Sequence, residues 1–378
     1  MIFKDFKGKK LSTLGMGAMR LPIVGGENNN IDVKATEEMI DYAMKNGVNY
    51  YDTAWGYHDG QSELVIGKIL NKYPRDSYYF ATKFPGYDKN NMNKVEEIFE
   101  KQLEKTGMEY FDFYLFHNVC ELNIDGYLDP KYGIFEYLMK QKENGRIRHL
   151  GFSVHGTYET MKRFMDAYGK HMEFCQVQLN YIDLDFQDAK SKLELLKEYD
   201  IPVWVMEPLR GGKLASIGKE YEDRLKVLRP DETVPGWAFR FLQTIPEVTV
   251  TLSGMSNQKQ LVDNIETYKD EKPLNQEEYD TLMDISKQMV SKIALACTSC
   301  RYCTTHCPKG IDIPKIIELY NEHCFTGGGF LAPFALKAMP QEKWPHACVG
   351  CKKCEAVCPQ NIKISEVMRD FADKMKEE

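Results

Sequence analysis

The chain alternates between two kinds of segment, and this alternation most restricts the folds that it can adopt. Short apolar runs, rich in β-branched and aromatic residues, are separated by longer stretches with a helical spacing of apolar residues. The eight apolar runs are 11–16, 48–52, 78–82, 111–116, 147–153, 174–179, 202–206 and 248–252. The first of the eight helical stretches begins at residue 32 or 36 and ends at residue 46, and the other seven are 61–72, 92–106, 131–144, 157–168, 188–199, 234–244 and 257–268. Parallel strands that are buried on both faces have such short, nearly continuous apolar sequences. The sequence therefore predicts an α/β fold, a (β/α)8 TIM barrel.

An open doubly wound sheet is the competing fold. It fits less well because eight units are present and no G-x-G-x-x-G motif follows the first strand. A barrel of this kind takes about 250 residues, which leaves room for a smaller module in a chain of 378 residues. We predict a barrel over residues 1–290 and a second domain over residues 291–378. A hairpin over residues 4–11 is expected to precede the first strand.

Three successive predicted strands end in a residue that can carry chemistry. These residues are Asp52, Lys83 and His117, and Tyr57 follows Asp52 by five positions. In a parallel barrel such strand ends surround one pocket on one face, where barrel enzymes place their catalytic groups. Each residue alone is better explained as a solvated cap or a core position than as a catalytic group. Only the order and spacing of the four residues together indicate a catalytic site.

The contexts Y-D-T-A-x-x-Y, x-T-K and L-F-H resemble the catalytic tetrad of the aldo-keto reductases, over about residues 1–290. The resemblance implies an oxidoreductase that reduces a small carbonyl compound or oxidises an alcohol by hydride transfer. Tyr57 would be the general acid or base, His117 would orient the carbonyl, and Lys83, held by Asp52, would lower the pKa of the phenol from about 10. A cation at about 4 Å contributes roughly 4 kcal/mol at an effective dielectric of 20, or about three pKa units.

The same resemblance implies that NAD(P)H lies extended across the strand ends. Ser153 and Gln178 would hold the nicotinamide carboxamide, and the loop after the seventh strand would approach the pyrophosphate. The full set of implied coenzyme contacts is Gly17, Met19, Arg20, Ser153, Gln178, Met206, Pro208, Leu209, Arg210, Gly211, Gly254, Met255, Gln260 and Asn264.

Four positions depart from the family pattern. Val154 replaces an asparagine and Met206 replaces a stacking tyrosine, while Gly254 and Gln260 stand where NADPH-preferring members carry lysine and arginine. An arginine that binds the 2′-phosphate in bidentate fashion is a major affinity term, and it is absent here. NADPH preference is therefore open, with NADH or a flavin such as FMN as the alternatives.

Eight of the eleven cysteines form two identically spaced motifs at the C-terminal end. Cys297, Cys300, Cys303 and Cys307 precede a proline, and Cys348, Cys351, Cys354 and Cys358 repeat the pattern 51 residues later. This is the bacterial ferredoxin spacing, in which three cysteines bind one [4Fe-4S] cluster and the fourth reaches the other cluster. We expect Cys358 to complete the first cluster and Cys307 the second.

Zinc is the competing metal ion for these cysteines. A zinc ribbon, however, needs only two close cysteine pairs, whereas this chain has two motifs of four cysteines. The repeat also continues beyond the cysteines, into two predicted helices in which Pro314 suits a first position and Ser365 an N-cap. The sequence predicts that the barrel is followed by a small α-helical ferredoxin-like iron-sulfur domain.

Composition restricts the partners. A net charge of −7 argues against nucleic acid, because phosphate binding requires clustered Lys and Arg. No run of about 18 apolar residues is present, and the N-terminus lacks the apolar region of a signal peptide. We expect a cytoplasmic protein with no membrane partner.

Two functions follow from these features. The first is an enzyme of aldo-keto reductase type, NAD(P)-dependent or flavin-linked, that is coupled to electron transfer through two [4Fe-4S] clusters. The second is an electron-transfer protein that uses the barrel as a scaffold. A flavin would link hydride chemistry to one-electron chemistry, and a ferredoxin or flavodoxin would be the external carrier.

The cysteine motifs lead to the first prediction. The purified protein should be brown, with broad absorbance near 400 nm that dithionite bleaches, and should contain about eight iron and eight sulfide per chain. Anaerobic iron and acid-labile sulfide analysis measures this. Zinc without sulfide would contradict it, and FMN released on denaturation would favour the flavin-linked alternative.

Overall fold

A computed structural model of the chain describes residues 1–376 except 293, 296, 298, 299, 302 and 359. Pro359, which follows the second cysteine motif, and residues 377–378 lie outside the described residues. Two compact units make up the chain, Met1–Leu282 and Met283–Glu378. This division and the predicted boundary at 290–291 fall in the same helix, Gln276–Ser291. The predicted boundary itself stays a prediction.

The first unit is a closed barrel of eight parallel strands, in the order β10-β3-β4-β5-β6-β7-β8-β9. The predicted (β/α)8 barrel is thereby confirmed. Its strands are β3 (Leu14–Gly17), β4 (Tyr50–Asp52), β5 (Tyr79–Phe84), β6 (Phe111–Val119), β7 (Ile147–Val154), β8 (Cys175–Gln178), β9 (Val203–Met206) and β10 (Val248–Ser253).

An antiparallel hairpin, β1 (Phe3–Phe6) and β2 (Lys9–Ser12), precedes the barrel, as predicted. The predicted first strand, 11–16, was wrong in one respect. Its first residues belong to β2, and the barrel strand begins at Leu14. The apolar pattern continues across this corner because Phe6 and Leu11 pack in the same interior cluster as Phe113 and Trp204.

Helices follow the strands around the barrel. The eight predicted helices are all present, as α1 (Val33–Lys45), α2 (Ser62–Leu70), α3 (Val95–Thr106), α5 (Ile134–Glu143), α6 (Tyr158–Tyr168), α8 (Ala189–Glu198), α10 (Val234–Gln243) and α11 (Gln258–Thr267). Four further helices were not predicted from the sequence: α4 (Ile124–Leu128), α7 (Asp183–Phe186), α9 (Lys219–Leu228) and α12 (Gln276–Ser291).

The second unit is helical, with α13 (Ile313–Thr326), α14 (Leu331–Lys337) and α15 (Ile364–Lys374). Its core is formed by isoleucines and other apolar residues that pack against the cysteines of both motifs. Asp312 is the N-cap of α13 and Pro314 lies in its first turn. The prediction of Ser365 as an N-cap was wrong, because α15 starts at Ile364 and Ser365 donates a hydrogen bond to Glu355 instead. No helix in the described part of the chain is long and apolar enough to span a bilayer.

The packing of α2 on α3 leads to the second prediction. A Cβ at Gly67 would lie 2.5 Å from the backbone oxygen of Thr106. Gly67→Ala gains about 1 kcal/mol of helix propensity, but overpacking against backbone costs about 1–3 kcal/mol. We expect net destabilisation, measured as a lower denaturant midpoint by tryptophan fluorescence. Gly126→Ala is the matched control, because the three atoms nearest to its Cβ all belong to the flexible Met92 side chain. An equal shift in both variants would contradict the packing argument.

Candidate active site and cluster cavities

A buried ion pair lies at the carboxyl ends of β4 and β5. The Lys83 side chain is 0% exposed, and its Nζ lies 2.6 Å from Asp52 Oδ1. Nζ also donates to the backbone oxygen of Thr53 at 2.7 Å. A buried ammonium requires such partners, since an unpaired charge in the core is strongly unfavourable. Lys83 lies inside β5 rather than just after it, so the strand itself fixes the lysine.

Tyr57 lies at the end of the short segment that follows β4. Its backbone N–H donates to the Ala54 oxygen at 3.2 Å, which closes a turn. Lys83 Nζ lies 5.1 Å from the centroid of the Tyr57 ring. The predicted residues Asp52, Tyr57 and Lys83 are therefore brought together at one end of the barrel.

The pKa of Tyr57 departs from the sequence-based expectation. Burial raises this pKa well above the usual value of 10, and the Asp52 and Glu207 carboxylates raise it further. The direction is therefore opposite to the lowering expected from Lys83, because burial and two carboxylates all act to raise the pKa. Tyr57 is thus protonated across the neutral pH range.

His117 faces the same space from β6. Its ring centroid is 6.1 Å from that of Tyr57, with the rings nearly perpendicular. Burial and the charge of Lys83 lower the pKa of His117 well below 6.5, so its imidazole is neutral. Its Nδ1 is buried and has no hydrogen-bond partner among the described residues. A neutral imidazole can donate one hydrogen bond to a ligand without adding charge.

Tyr87 and Asn118 also lie at this site, although neither was predicted as a catalytic or coenzyme-binding residue. The Tyr87 ring packs edge-on against His117 at 5.1 Å, and its hydroxyl would lie 2.5 Å from a Cβ at Gly56. Gly56 therefore lets Tyr87 approach the segment that carries Tyr57. Asn118 Oδ1 is buried with no partner in the described part of the chain. The only sequence signal for Asn118 was its position directly after His117.

Two residues predicted to hold the nicotinamide are bonded within the protein. Ser153 Oγ accepts from the Asn118 backbone N–H at 2.7 Å. Gln178 Nε2 donates to Asp183 at 2.9 Å, and Gln178 Oε1 accepts from His155 Nδ1 at 3.2 Å. Both side chains are buried near the ends of β7 and β8. Their role at a coenzyme stays a prediction.

Arg210 forms a second buried ion pair, which sequence reasoning missed. Its Nε donates to Asp183 Oδ1 at 2.9 Å, and both side chains are at most 2% exposed. Asp183 also accepts from Asn180 at 2.6 Å. The positive φ values of Arg210, Gly211 and Glu207 show a tight left-handed turn after β9. The guanidinium of Arg210 thus fixes this loop from within.

Arg20 is exposed between the two glycine loops that follow β9 and β10. Its aliphatic carbons lie 3.2–3.3 Å from where a Cβ would stand on Gly254, and its Nη2 lies 3.1 Å from that position on Gly211. The Arg20 backbone oxygen also accepts from Ser256 Oγ at 2.9 Å. A cation is therefore held where the resemblance places the pyrophosphate.

The other implied coenzyme contacts lie on the same strand ends and the segments that follow them. Gly17 ends β3, Met19 is 45% exposed, Met206 ends β9, and Pro208 and Met255 are buried. Leu209 is half-buried. Gln260 Oε1 accepts from Ser256 N at 2.8 Å, and Asn264 Nδ2 donates to Ser253 Oγ at 3.0 Å. The barrel therefore gathers these residues at one end.

Two cavities in the second unit are each lined by four cysteines. One cavity, which we call cavity A, contains Cys297, Cys300, Cys303 and Cys358. The other, cavity B, contains Cys348, Cys351, Cys354 and Cys307. Each cavity thus combines three cysteines of one motif with the last cysteine of the other, which is the pairing that the sequence predicts.

The cavities are related by the 51-residue repeat. Each of the ten residues that line cavity A has an equivalent, 51 positions away, that lines cavity B. The backbone repeats as well, since Arg301 and Lys352 both have positive φ, as do Gly310 and Asn361. A cubic cluster held by thiolates fits this donor set. Among the described residues, no three His, Cys, Asp or Glu side chains are grouped as ligands of a single metal ion.

Comparison with known proteins agrees with both units. Residues 13–287 match the model described as "Aldo/keto reductase family", and residues 296–364 match a "4Fe-4S dicluster domain". The NADH-specific methylglyoxal reductase of Escherichia coli is 25% identical over 67% of this chain and 84% of its own. The uncharacterised oxidoreductase YqkF of Bacillus subtilis is 25% identical over 75% of this chain and 95% of its own.

Solved structures show the same barrel. The holo form of an aldo-keto reductase from Bacillus halodurans aligns with a TM-score of 0.62 and 22% identity, over 75% of this chain and 96% of its own. An aldo-keto reductase from Klebsiella pneumoniae in complex with NADPH aligns with a TM-score of 0.60 and 19% identity, over 76% of this chain and 96% of its own. At these identities the likeness concerns the fold.

The charge around Tyr57 leads to the third prediction. Glu207→Gln removes a carboxylate that raises the Tyr57 pKa, so this pKa should fall, by up to about one unit. The measurement is NMR titration of 13Cζ-labelled tyrosine, with the Tyr57 signal assigned through Tyr57→Phe. Glu109→Gln, at an exposed position before β6, should leave the titration unchanged. A rise in the Tyr57 pKa in the Glu207 variant would refute the electrostatic account.

Proposed function

The chain belongs to the aldo/keto reductase family, and from this premise we propose that it reduces a small carbonyl compound, or oxidises the corresponding alcohol, by hydride transfer. It is an oxidoreductase of this family with a 4Fe-4S dicluster domain at its C-terminal end. The observation that carries the proposal is the convergence of Asp52, Tyr57, Lys83 and His117 at one end of the barrel.

Tyr57 is the proton donor in this proposal. A phenol with a raised pKa keeps its proton until negative charge develops on the carbonyl oxygen beside it. His117, neutral because burial lowers its pKa, donates a hydrogen bond to the same oxygen and orients it. Lys83 is held by Asp52 and supports the phenolate as the proton leaves. NAD(P)H supplies the hydride when bound.

The raised pKa of Tyr57 matches the protonation state that carbonyl reduction requires. Proton donation needs the protonated phenol, which persists at neutral pH, whereas alcohol oxidation needs the phenolate as a base. Reduction should therefore be lost, and oxidation gained, only as the pH rises through the elevated pKa of Tyr57.

Several residues fit a nicotinamide coenzyme. Arg20, held between Gly211 and Gly254, offers a cation for the pyrophosphate. Asn118 Oδ1, buried and without a partner among the described residues, offers an acceptor for the carboxamide amino group, in place of the asparagine that Val154 replaces. NADH rather than NADPH is favoured, because Gly254 and Gln260 carry no charge for a 2′-phosphate. The name of the Escherichia coli relative supports the same choice.

The two cysteine cavities favour a second candidate function, electron transfer through two [4Fe-4S] clusters. In this proposal the four cysteines of each cavity would hold a cluster, which would supply one-electron exchange with a ferredoxin or flavodoxin. Nicotinamides exchange hydride, so coupling to the barrel needs a group that does both, for which FMN is the usual choice. The departures at Val154, Met206, Gly254 and Gln260 support a changed coenzyme site, which either FMN or NADH explains.

The fourth prediction tests the catalytic assignment. Tyr57→Phe removes the acid but keeps the ring, so carbonyl reduction should fall by about 10²- to 10⁴-fold while NADH and NADPH binding stay nearly intact. Lys83→Met should act similarly. The measurement is turnover of simple aldehydes, with coenzyme titration on the same samples.

Tyr132→Phe removes a hydroxyl elsewhere on the barrel and is the matched control. Wild-type turnover in the Tyr57 variant would assign the chemistry to other residues. Absence of turnover in the wild-type protein, together with iron and sulfide in both cavities, would favour the electron-transfer candidate.

A further inference from the structure

The two cysteine cavities are alike in backbone but differ in charge. Arg301 lies at the edge of cavity A, and its guanidinium pairs with Asp312 at 2.6 Å. The equivalent positions, 51 residues later, are Lys352 and Lys363. Where cavity A has a cation and its carboxylate, cavity B has two cations.

A third pair of equivalent positions adds to this asymmetry. Gln360 lines cavity A, and its counterpart Lys309 lines cavity B. Lys353 follows Lys352 and is exposed, and Lys343 reaches the same side, since its Nζ donates to the Lys309 backbone oxygen at 2.7 Å.

We call the five lysines beside cavity B the basic face: Lys309, Lys343, Lys352, Lys353 and Lys363. None of them pairs with a carboxylate of another described residue. The Glu355 carboxylate, on which Lys352 and Lys363 act electrostatically, accepts instead from the Ser365 backbone N–H at 2.8 Å. The positive charge of the basic face is therefore not neutralised by an ion pair with another described residue.

The rim of cavity B is also apolar and accessible. Val349 is 59% exposed, lines the cavity, and lies next to the exposed residues Gly350 and Cys351. A single exposed valine has no significance by itself. Because Val349 lines the same cavity as Lys309 and Lys352 and adjoins Cys351, the apolar side chain and the lysines together provide the apolar centre and charged rim that protein interfaces combine.

We propose that the basic face and Val349 dock a small acidic protein that carries one electron, and that electrons enter or leave this protein through the group held in cavity B. The proposal rests on the electron-transfer part of the proposed function. Each encounter moves one electron between carrier and module: the reduced carrier loses one, the module gains one, and no atom is transferred. Two encounters supply the two electrons of one hydride equivalent.

Charge complementarity selects this partner. Steering between opposite charges raises association rates by 10- to 1000-fold and is screened by salt. The neutral surroundings of cavity A offer no such attraction, so the two cavities would have different roles despite their shared backbone. The carrier is therefore expected to bind beside cavity B.

The test uses the full-length protein with its iron and sulfide, and a purified acidic flavodoxin as the probe. Lys363→Asp copies the Arg301–Asp312 arrangement onto Lys352, and it also places an N-cap carboxylate at the start of α15, where Asp312 caps α13. Lys352→Glu combined with Lys353→Glu reverses the charge outright. The readouts are stopped-flow electron transfer as a function of ionic strength, calorimetric affinity, and iron content.

At low salt, we expect electron transfer from reduced flavodoxin to slow about 10- to 100-fold in the double variant and severalfold in Lys363→Asp, with iron content unchanged. High salt should remove most of the difference. Lys337→Glu combined with Lys376→Glu makes the same change of charge on residues that line neither cavity, and it should have little effect. Cytochrome c, a basic acceptor, should show the opposite response to the double variant.

Unchanged flavodoxin rates and affinity in both basic-face variants, at full iron content, would overturn the proposal. Equal loss in the control pair would also overturn it, because the effect would then be one of net charge. Loss of binding to phosphatidylserine vesicles, with flavodoxin transfer intact, would instead assign the face to an anionic surface. If iron is lost from the double variant, Lys352→Gln combined with Lys353→Gln replaces it. None of these readouts depends on aldehyde turnover, so failure here leaves the barrel chemistry untouched.

Discussion

The buried ion pair between Lys83 and Asp52 is the interaction on which the active-site end of the barrel depends. It joins two adjacent strands, and through the Thr53 backbone oxygen it also holds the start of the segment that delivers Tyr57. Removing one partner of such a pair costs about 3–5 kcal/mol, because the other charge stays buried and unpaired. The pair also sets the local electrostatics. Burial raises the pKa of the Tyr57 phenol, and the Asp52 carboxylate of this pair raises it further.

The second unit contains two cysteine motifs that repeat after 51 residues and share their cysteines between two cavities. Neither cysteine motif lines a cavity with its own four thiols, because the last cysteine of each motif crosses to the other cavity. The two halves must therefore fold together for either cavity to have four cysteines. This requirement applies to the backbone, which repeats down to the positive φ values at Arg301 and Lys352. Surface charge lies outside this constraint, and there the halves differ.

The fold was largely predictable from the sequence, because buried parallel strands appear as short continuous apolar runs. Amphipathic helices are recognised by the helical spacing of their apolar residues. The errors have local causes. The run 11–16 spans a corner between the hairpin and β3, where both sides of the corner pack on the same core. Ser365 is a favourable N-cap residue, yet the backbone places the cap at Lys363 because Ser365 bonds to Glu355, ten residues earlier. The α9 helix lies between the seventh predicted strand and the predicted helix 234–244, in a segment to which no element was assigned.

By itself, the sequence determined which residues can carry chemistry: Asp52, Tyr57, Lys83 and His117 through their order at strand ends, and eight cysteines through their spacing. These signals are local, since they depend on neighbours along the chain. Only the tertiary structure decided the directions of the pKa shifts at Tyr57 and His117, the burial of Arg210 against Asp183, and the approach of Tyr87 and Asn118 to the site. It also decided that Arg301 is paired while Lys352 is not. Burial and pairing depend on groups far apart in the sequence, and no local pattern encodes the distance between them.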